Sequence, residues 1–161
     1  MTTILGLSSY YHDAAASIVK DGNIVAAAAE ERFSRKKHDY GFPTSAINFC
    51  LKEAGVTGDQ LDYVIFHEKP FVKFERLLTT ILETYPQSYT VFRESMLSWL
   101  KEKLWVKTTI MDKLGIKDDK KMLGRDHHLA HASSACCCSP FKAAAIIPAD
   151  ASHFLRTRIH F

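Results

Sequence analysis

An Asp21-Gly22 pair set between two short apolar runs does more than any other feature to limit what this chain can fold into. A two-residue hairpin loop needs positive φ at both central positions, and Asp-Gly supplies that at low steric cost. The flanking runs are Ala14–Lys20 and Asn23–Ala29, and a third apolar run, Thr3–Ser8, lies upstream. The opening therefore predicts an antiparallel meander of three strands. The stretches AAAS and AAAAEE also have helical propensity, but the turn divides them into runs too short for typical helices, so strands are preferred.

Beyond the meander, Gly41-Phe42-Pro43 breaks the chain, and Thr44 or Ser45 is positioned to cap a helix. Ile47, Cys50, Leu51 and Ala54 share one face of that helix, with Gly55 as its stop. Tyr63–His67 follows as a buried strand, ended by Pro70. Strand, helix, strand in this order points to an α/β fold with a mixed sheet. The middle third then changes to helical spacing. Phe71, Phe74, Leu78 and Ile81 form one stripe, and Phe92, Met96, Trp99 and Lys103 another, with Tyr85-Pro86 between them. A helical hairpin inserted at about residues 70–115 is expected, its aromatic stripe either core packing or a substrate or partner surface. A short helix near Thr108–Leu114, a charged turn at Lys117–Lys121 and a strand at Lys121–Gly124 come next. After Asp126 a helix is expected through about Cys138, stopped by Ser139-Pro140, then a strand at Ala143–Ile147.

Composition narrows the function classes. The chain has 161 residues, 47% hydrophobic and 24% charged, which suits one globular domain and excludes disorder. A net charge of +3 arises from alternating basic and acidic blocks, so nucleic acid is not an expected partner. Nothing approaches eighteen consecutive apolar residues, so no membrane span is expected. No secretory leader is apparent, and three of the four cysteines are adjacent, Cys136, Cys137 and Cys138. Those features suit a reducing cytoplasm.

Three segments can carry chemistry. RDHHLAHASSA, from Arg125, puts His127 and His131 four residues apart on one helical face, where two neutral imidazoles can converge on one ion. Packing or surface histidines have the same spacing by chance, and a helical site with nitrogen and oxygen ligands suits Fe(II), Zn(II) or Mn(II) alike. Asp126 suits an N-cap, Asp150 is a candidate carboxylate ligand, and the triple cysteine reads as buried small helix residues. In the Ser8–Ala14 loop, His12 and Asp13 sit at a strand-loop edge, suited to proton exchange or simply to a turn. EERFSRKKHD, from Glu30, gathers cationic side chains that can grip phosphate or carboxylate, or form a solvated loop. Neither a GxGxxG nor a Walker-type loop is present.

Taken in order, ILGLSSYYHDAAASIVKDGNIVAAAAEERFSRKKHDYGFP, DHHLAHASSA and SPFKAAAII resemble the O-carbamoyltransferases of the nodulation and antibiotic-tailoring type, from about Thr3 to about Asp150. The resemblance implies the first lobe of an actin-like ATPase (Kae1-like) fold. It implies Fe(II) or another divalent ion at His127, His131 and Asp150, and His12 as general base. Arg32, Lys36 and Lys37 are implied for the nucleotide or carbamoyl group, Lys37 foremost. The implied reaction moves a carbamoyl group from carbamoyl-adenylate to a hydroxyl of a sugar or antibiotic-like acceptor. The carbamoyl-adenylate is made from ATP and carbamoyl phosphate by a YrdC-like domain that follows in such proteins.

The resemblance fades at PADASHFLRTRIHF. Pro148 stands where a central strand would run, and Ala151 where the family has glycine after the aspartate. Residues 1–147 are therefore expected to be a partial carbamoyltransferase N-terminal domain and 148–161 an aberrant tail, with the YrdC-like domain missing and the chain inactive alone. A non-catalytic or partner-dependent remnant is the alternative, and a tRNA threonylcarbamoyl transfer protein a more distant one.

Overall fold

The hairpin forms as its sequence predicts. In the computed structural model, which describes residues 1–11, 13–101, 103–140, 144–146 and 157–159, Asp21 and Gly22 have φ of 50° and 82°. They join β2 (Ala15–Lys20) to β3 (Asn23–Ala29). β1 (Thr3–Ser8) pairs antiparallel with β2, Leu5 opposite Ile18 and Leu7 opposite Ala16. The alanine-rich run is strand, not helix. Ala26–Ala29 pair with β2 after a register shift beside Ile18 and Val19, and a strand of small side chains lets the next helix lie close.

β4 (Tyr63–Phe66) and β5 (Met122–Gly124) extend the sheet in parallel from β1, giving the order β3-β2-β1-β4-β5. The fold is α/β with a mixed sheet, as expected, and the sheet has five strands. One face carries Ala16, Ile18, Leu5, Leu7, Val64, Phe66 and Met122, all buried. After a one-turn helix, α1 (Glu31–Ser34), comes α2 (Thr44–Ala54), which lies across β2 and β3 and buries Ala46, Ile47 and Cys50. Gly55, at φ 64°, ends α2 as predicted.

The helical hairpin is α3 (Pro70–Glu83) and α4 (Tyr89–Lys101). Pro70 does not merely end the preceding strand. It opens α3, where its missing N–H is no loss. Lys103, expected on the α4 face, lies beyond that helix in a 3-10 turn, Lys103–Trp105. In α5 (Val106–Leu114), Val106, Ile110 and Leu114 join the main core. The chain divides into two units, Met1–Gly124 and Arg125–Phe161. In the second, α6 (His127–Cys137) precedes β6 (Ala144–Ile146), which pairs antiparallel with β7 (Thr157–Ile159).

Thr44 and Ser45 do not cap α2. Pro43 holds the N-cap position and offers no side-chain bond. Glu30, only 7% exposed, performs the task from the end of β3: its carboxylate accepts the Ser45 amide at 3.1 Å and the Ala46 amide at 2.8 Å. A carboxylate against a helix N-terminus satisfies orphan donors and complements the dipole. The serine and threonine hydroxyls are displaced by a stronger acceptor from outside the helix.

Candidate functional site

The parallel strands β1, β4 and β5 run in register, with Leu7 beside Phe66 and Phe66 beside Gly124. Their carboxyl ends therefore share one edge of the sheet, the edge where α/β sheets bind ligands. The Ser8–Ala14 loop leaves β1 there, and His67-Glu68 leaves β4. Gly124 is required at the end of β5, since a Cβ on it would stand 2.9 Å from the Glu68 carbonyl oxygen.

The structure joins two segments that look separate in the sequence. Tyr10 donates its amide to the Tyr40 carbonyl and Ala14 to that of Asp39, each at 2.7 Å. His38 Nδ1 lies 2.8 Å from Asp13 Oδ1. The Ser8–Ala14 loop is thus stitched to the strand-to-helix connection that carries the basic residues. Tyr10, Asp13, Arg35 and His38 all have positive φ, at 65°, 51°, 58° and 55°. Non-glycine residues held there cost conformational energy, and such residues cluster at functional sites.

Within the basic segment, Arg32, Lys36 and Lys37 are all exposed. The Lys36 ammonium sits 5.1 Å from the centre of the Tyr40 ring. The Gly41 amide, then the Ser34 hydroxyl and the Lys36 charge, hold the Asp39 carboxyl below its ordinary range, outweighing desolvation. The segment is therefore the one-turn α1 and the loop after it, and its cationic side chains face solvent. His12, the expected base, lies outside the described residues.

The sequence assigns His67 only to the end of a strand and gives Glu68 no role, although two ionisable residues at the end of a buried strand are a signal. Both side chains are 14% exposed, with His67 Nε2 3.6 Å from Glu68 Oε1. Lys73, from the first turn of α3, donates its ammonium to the same Glu68 oxygen and lies 5.4 Å from the centre of the Tyr11 ring.

The second unit carries the histidine pair. Asp126 takes the N-cap position in extended conformation without a side-chain cap bond, so its capping role is confined to the backbone. Its carbonyl accepts the Ala130 amide at 2.9 Å. His127 and His131 stack edge to face, with Nε2 atoms 3.1 Å apart. Two nitrogen ligands at about 2.0–2.1 Å from one ion stand about 3.0–3.4 Å apart, so this pair has the spacing of two ligands to one centre. The His128 ring lies 6.0 Å from that of His127. Asp150, expected as the carboxylate partner, is outside the described residues. Of the adjacent cysteines only Cys136 is buried, while Cys137 and Cys138 are exposed. The expectation of three buried small residues fails because successive helical positions point about 100° apart. Cys50 is buried in α2, and desolvation pushes its thiol up.

The family model described as the carbamoyltransferase N-terminus matches residues 3–152. The chain belongs to that family. The matched stretch contains His12, Arg32, Lys36, Lys37, His127, His131 and Asp150. An uncharacterized protein of Synechocystis sp., sll1178, is 51% identical over 156 residues, covering 93% of this chain and 25% of the relative. The nodulation protein NolNO of Sinorhizobium fredii is 31% identical over 144 residues, covering 89% of this chain and 20% of the relative. An uncharacterized 19.2 kDa protein of Rhizobium etli is 38% identical over 60 residues, covering 37% of this chain and 35% of the relative. The chain thus spans about a quarter of the length of the first of these relatives and about a fifth of the second. No helix among its described residues is long and apolar enough to cross a membrane.

Proposed function

We propose that this chain provides the metal-holding and donor-binding part of an O-carbamoyltransferase. The reaction moves a carbamoyl group from carbamoyl-adenylate to a hydroxyl of a small sugar-like or antibiotic-like acceptor, in the cytoplasm. The observation that carries the reading is the His127–His131 pair, its Nε2 atoms 3.1 Å apart, inside a stretch matched to the carbamoyltransferase N-terminus. The antiparallel meander continued by parallel strands supports the first lobe of an actin-like fold. A YrdC-like domain would make the adenylate in the complete protein.

His127, His131 and Asp150 would hold Fe(II) or another divalent ion. When bound, such an ion supplies fixed positive charge that polarises a carbonyl or orients phosphate oxygens. His12 accepts the proton of the acceptor hydroxyl as its oxygen attacks the carbamoyl carbon. The bond from that carbon to the adenylate oxygen then breaks, and AMP departs with the electron pair. Lys37, with Lys36 on the same exposed loop and Arg32 in α1 just before it, balances the charge on the departing phosphate.

Calorimetric titration with AMP, the leaving group of the donor, tests the donor half of this reading. Saturable binding is expected, weakened about tenfold or more by Lys37→Ala, the scale of a lost charge-assisted hydrogen bond. Lys52→Ala, on the exposed side of α2, should leave it unchanged. Absence of saturable binding, or binding indifferent to Lys37, would overturn the assignment.

A further inference from the structure

We infer that Tyr11, Glu68 and Lys73 form the surface that positions the acceptor, a neutral polyhydroxylated molecule such as a sugar. The inference rests on the O-carbamoyl transfer reading and assigns that reaction's second substrate to residues outside the histidine pair and the basic loop.

Three elements converge here at the carboxyl edge of the sheet. Glu68 leaves β4 with its side chain 14% exposed, and Lys73, 49% exposed, reaches it from α3. The Lys73 ammonium also lies 5.4 Å from the centre of the Tyr11 ring, which is itself 59% exposed. Tyr11 is displayed by a fixed loop, since its neighbour Tyr10 is bonded to Tyr40 and held at a φ of 65°.

The chemistry of the cluster selects its ligand. Glu68 neutralises Lys73, so the pair is a poor trap for phosphate, whose charge the carboxylate would repel. A carboxylate that accepts beside an ammonium that donates suits vicinal hydroxyls, which do both. An exposed aromatic face beside such a pair suits the apolar C–H face of a sugar ring. The basic loop has the opposite character, with Arg32, Lys36 and Lys37 exposed. An anionic donor belongs there and a neutral acceptor at Tyr11, with the expected base His12 next in the chain.

Saturation-transfer NMR on the whole chain, with methyl glucoside and methyl mannoside as neutral probes, tests this. Glucose 6-phosphate and inorganic phosphate serve as anionic comparators. Transfer to the ring C–H protons of a neutral probe is expected. Tyr11→Ala should weaken binding about tenfold, Tyr11→Phe should retain it, and Lys73→Gln should weaken it severalfold, with the amide spectrum unchanged in each. Binding confined to the anionic probes, no binding, or binding indifferent to Tyr11→Ala would overturn the inference. AMP titration of the same samples separates the two readings. AMP binding through Lys37 without sugar binding sinks the acceptor surface alone. Sugar binding through Tyr11 without AMP binding leaves a sugar site and removes carbamoyl transfer from the account.

Discussion

The sheet and the helical hairpin show equally clear apolar periodicity, yet they bury it to very different degrees. Leu5, Ile18 and Val64 are 0% exposed, whereas along the hairpin's stripes Phe71 is 65% exposed and Phe92 37%, with Phe74, Leu78, Met96 and Trp99 only half-buried. Ile81 is buried, Phe74 and Trp99 meet with ring centres 5.6 Å apart, and buried Ser88 donates its hydroxyl to the Ile81 carbonyl. The two helices are held together by a few contacts, while α2 lies across β2 and β3 and α5 buries Val106, Ile110 and Leu114 in the main core. Periodicity specifies which side of an element is apolar. What covers that side depends on strand order and on elements distant in the sequence.

The sharpest way to break this contrast is a matched pair of truncations. Ile18→Ala should cost about 2–5 kcal/mol in denaturant unfolding, from lost transfer energy and an unfilled cavity. Leu82→Ala should stay within about 0.5 kcal/mol, since its side chain is already in water. Equal costs would mean that the hairpin is as firmly built as the sheet.

Glu30 sharpens the comparison by asking how the sheet holds its helix. Glu30→Ala removes the acceptor of the Ser45 and Ala46 amides and should cost about 1–3 kcal/mol. Amide exchange should accelerate first in the opening turn of α2 and leave α3 and α4 unaffected. An unchanged exchange rate at Ala46 would show that the carboxylate is not the cap.

The smallest effect concerns acid. Asp39 is held below its ordinary carboxylate range, chiefly by the Gly41 amide. A depressed folded pKa means that its contribution is complete above the unfolded value and disappears as pH falls through the lowered one. Loosening of the Tyr10–Tyr40 bond, followed by NMR, should therefore begin only in acid below the usual carboxylate titration, and Asp39→Asn should remove that transition. Loosening centred near neutral pH would assign it to another group.

The features legible in the sequence are the local ones. Asp21-Gly22, the Gly55 stop and the His127–His131 spacing each require only neighbours within a turn, and each stands in the structure as expected. The features that were missed depend on distance along the chain. Glu30 reaches an amide sixteen residues on, and His38 meets Asp13 across twenty-five. Nothing in EERFSRKKHD distinguishes a glutamate that caps a remote helix from one that faces water. Nor does the spacing of Val106, Ile110 and Leu114 reveal that α5 joins the main core while α3 and α4 stand largely outside it. Glu68 and Lys73 are the exception, only five residues apart, and they meet across the short connection from β4 to α3.

The central claim is that His127 and His131 bind one ion. Metal analysis of the chain after anaerobic loading with Fe(II), Zn(II) or Mn(II) and removal of free ion tests it directly. The account predicts retention of one of these ions, lost in both His127→Ala and His131→Ala and kept in Cys137→Ser, a change at an exposed site on the same helix. Metal content unaffected by either histidine replacement, or no retention of any of the three ions, would contradict it.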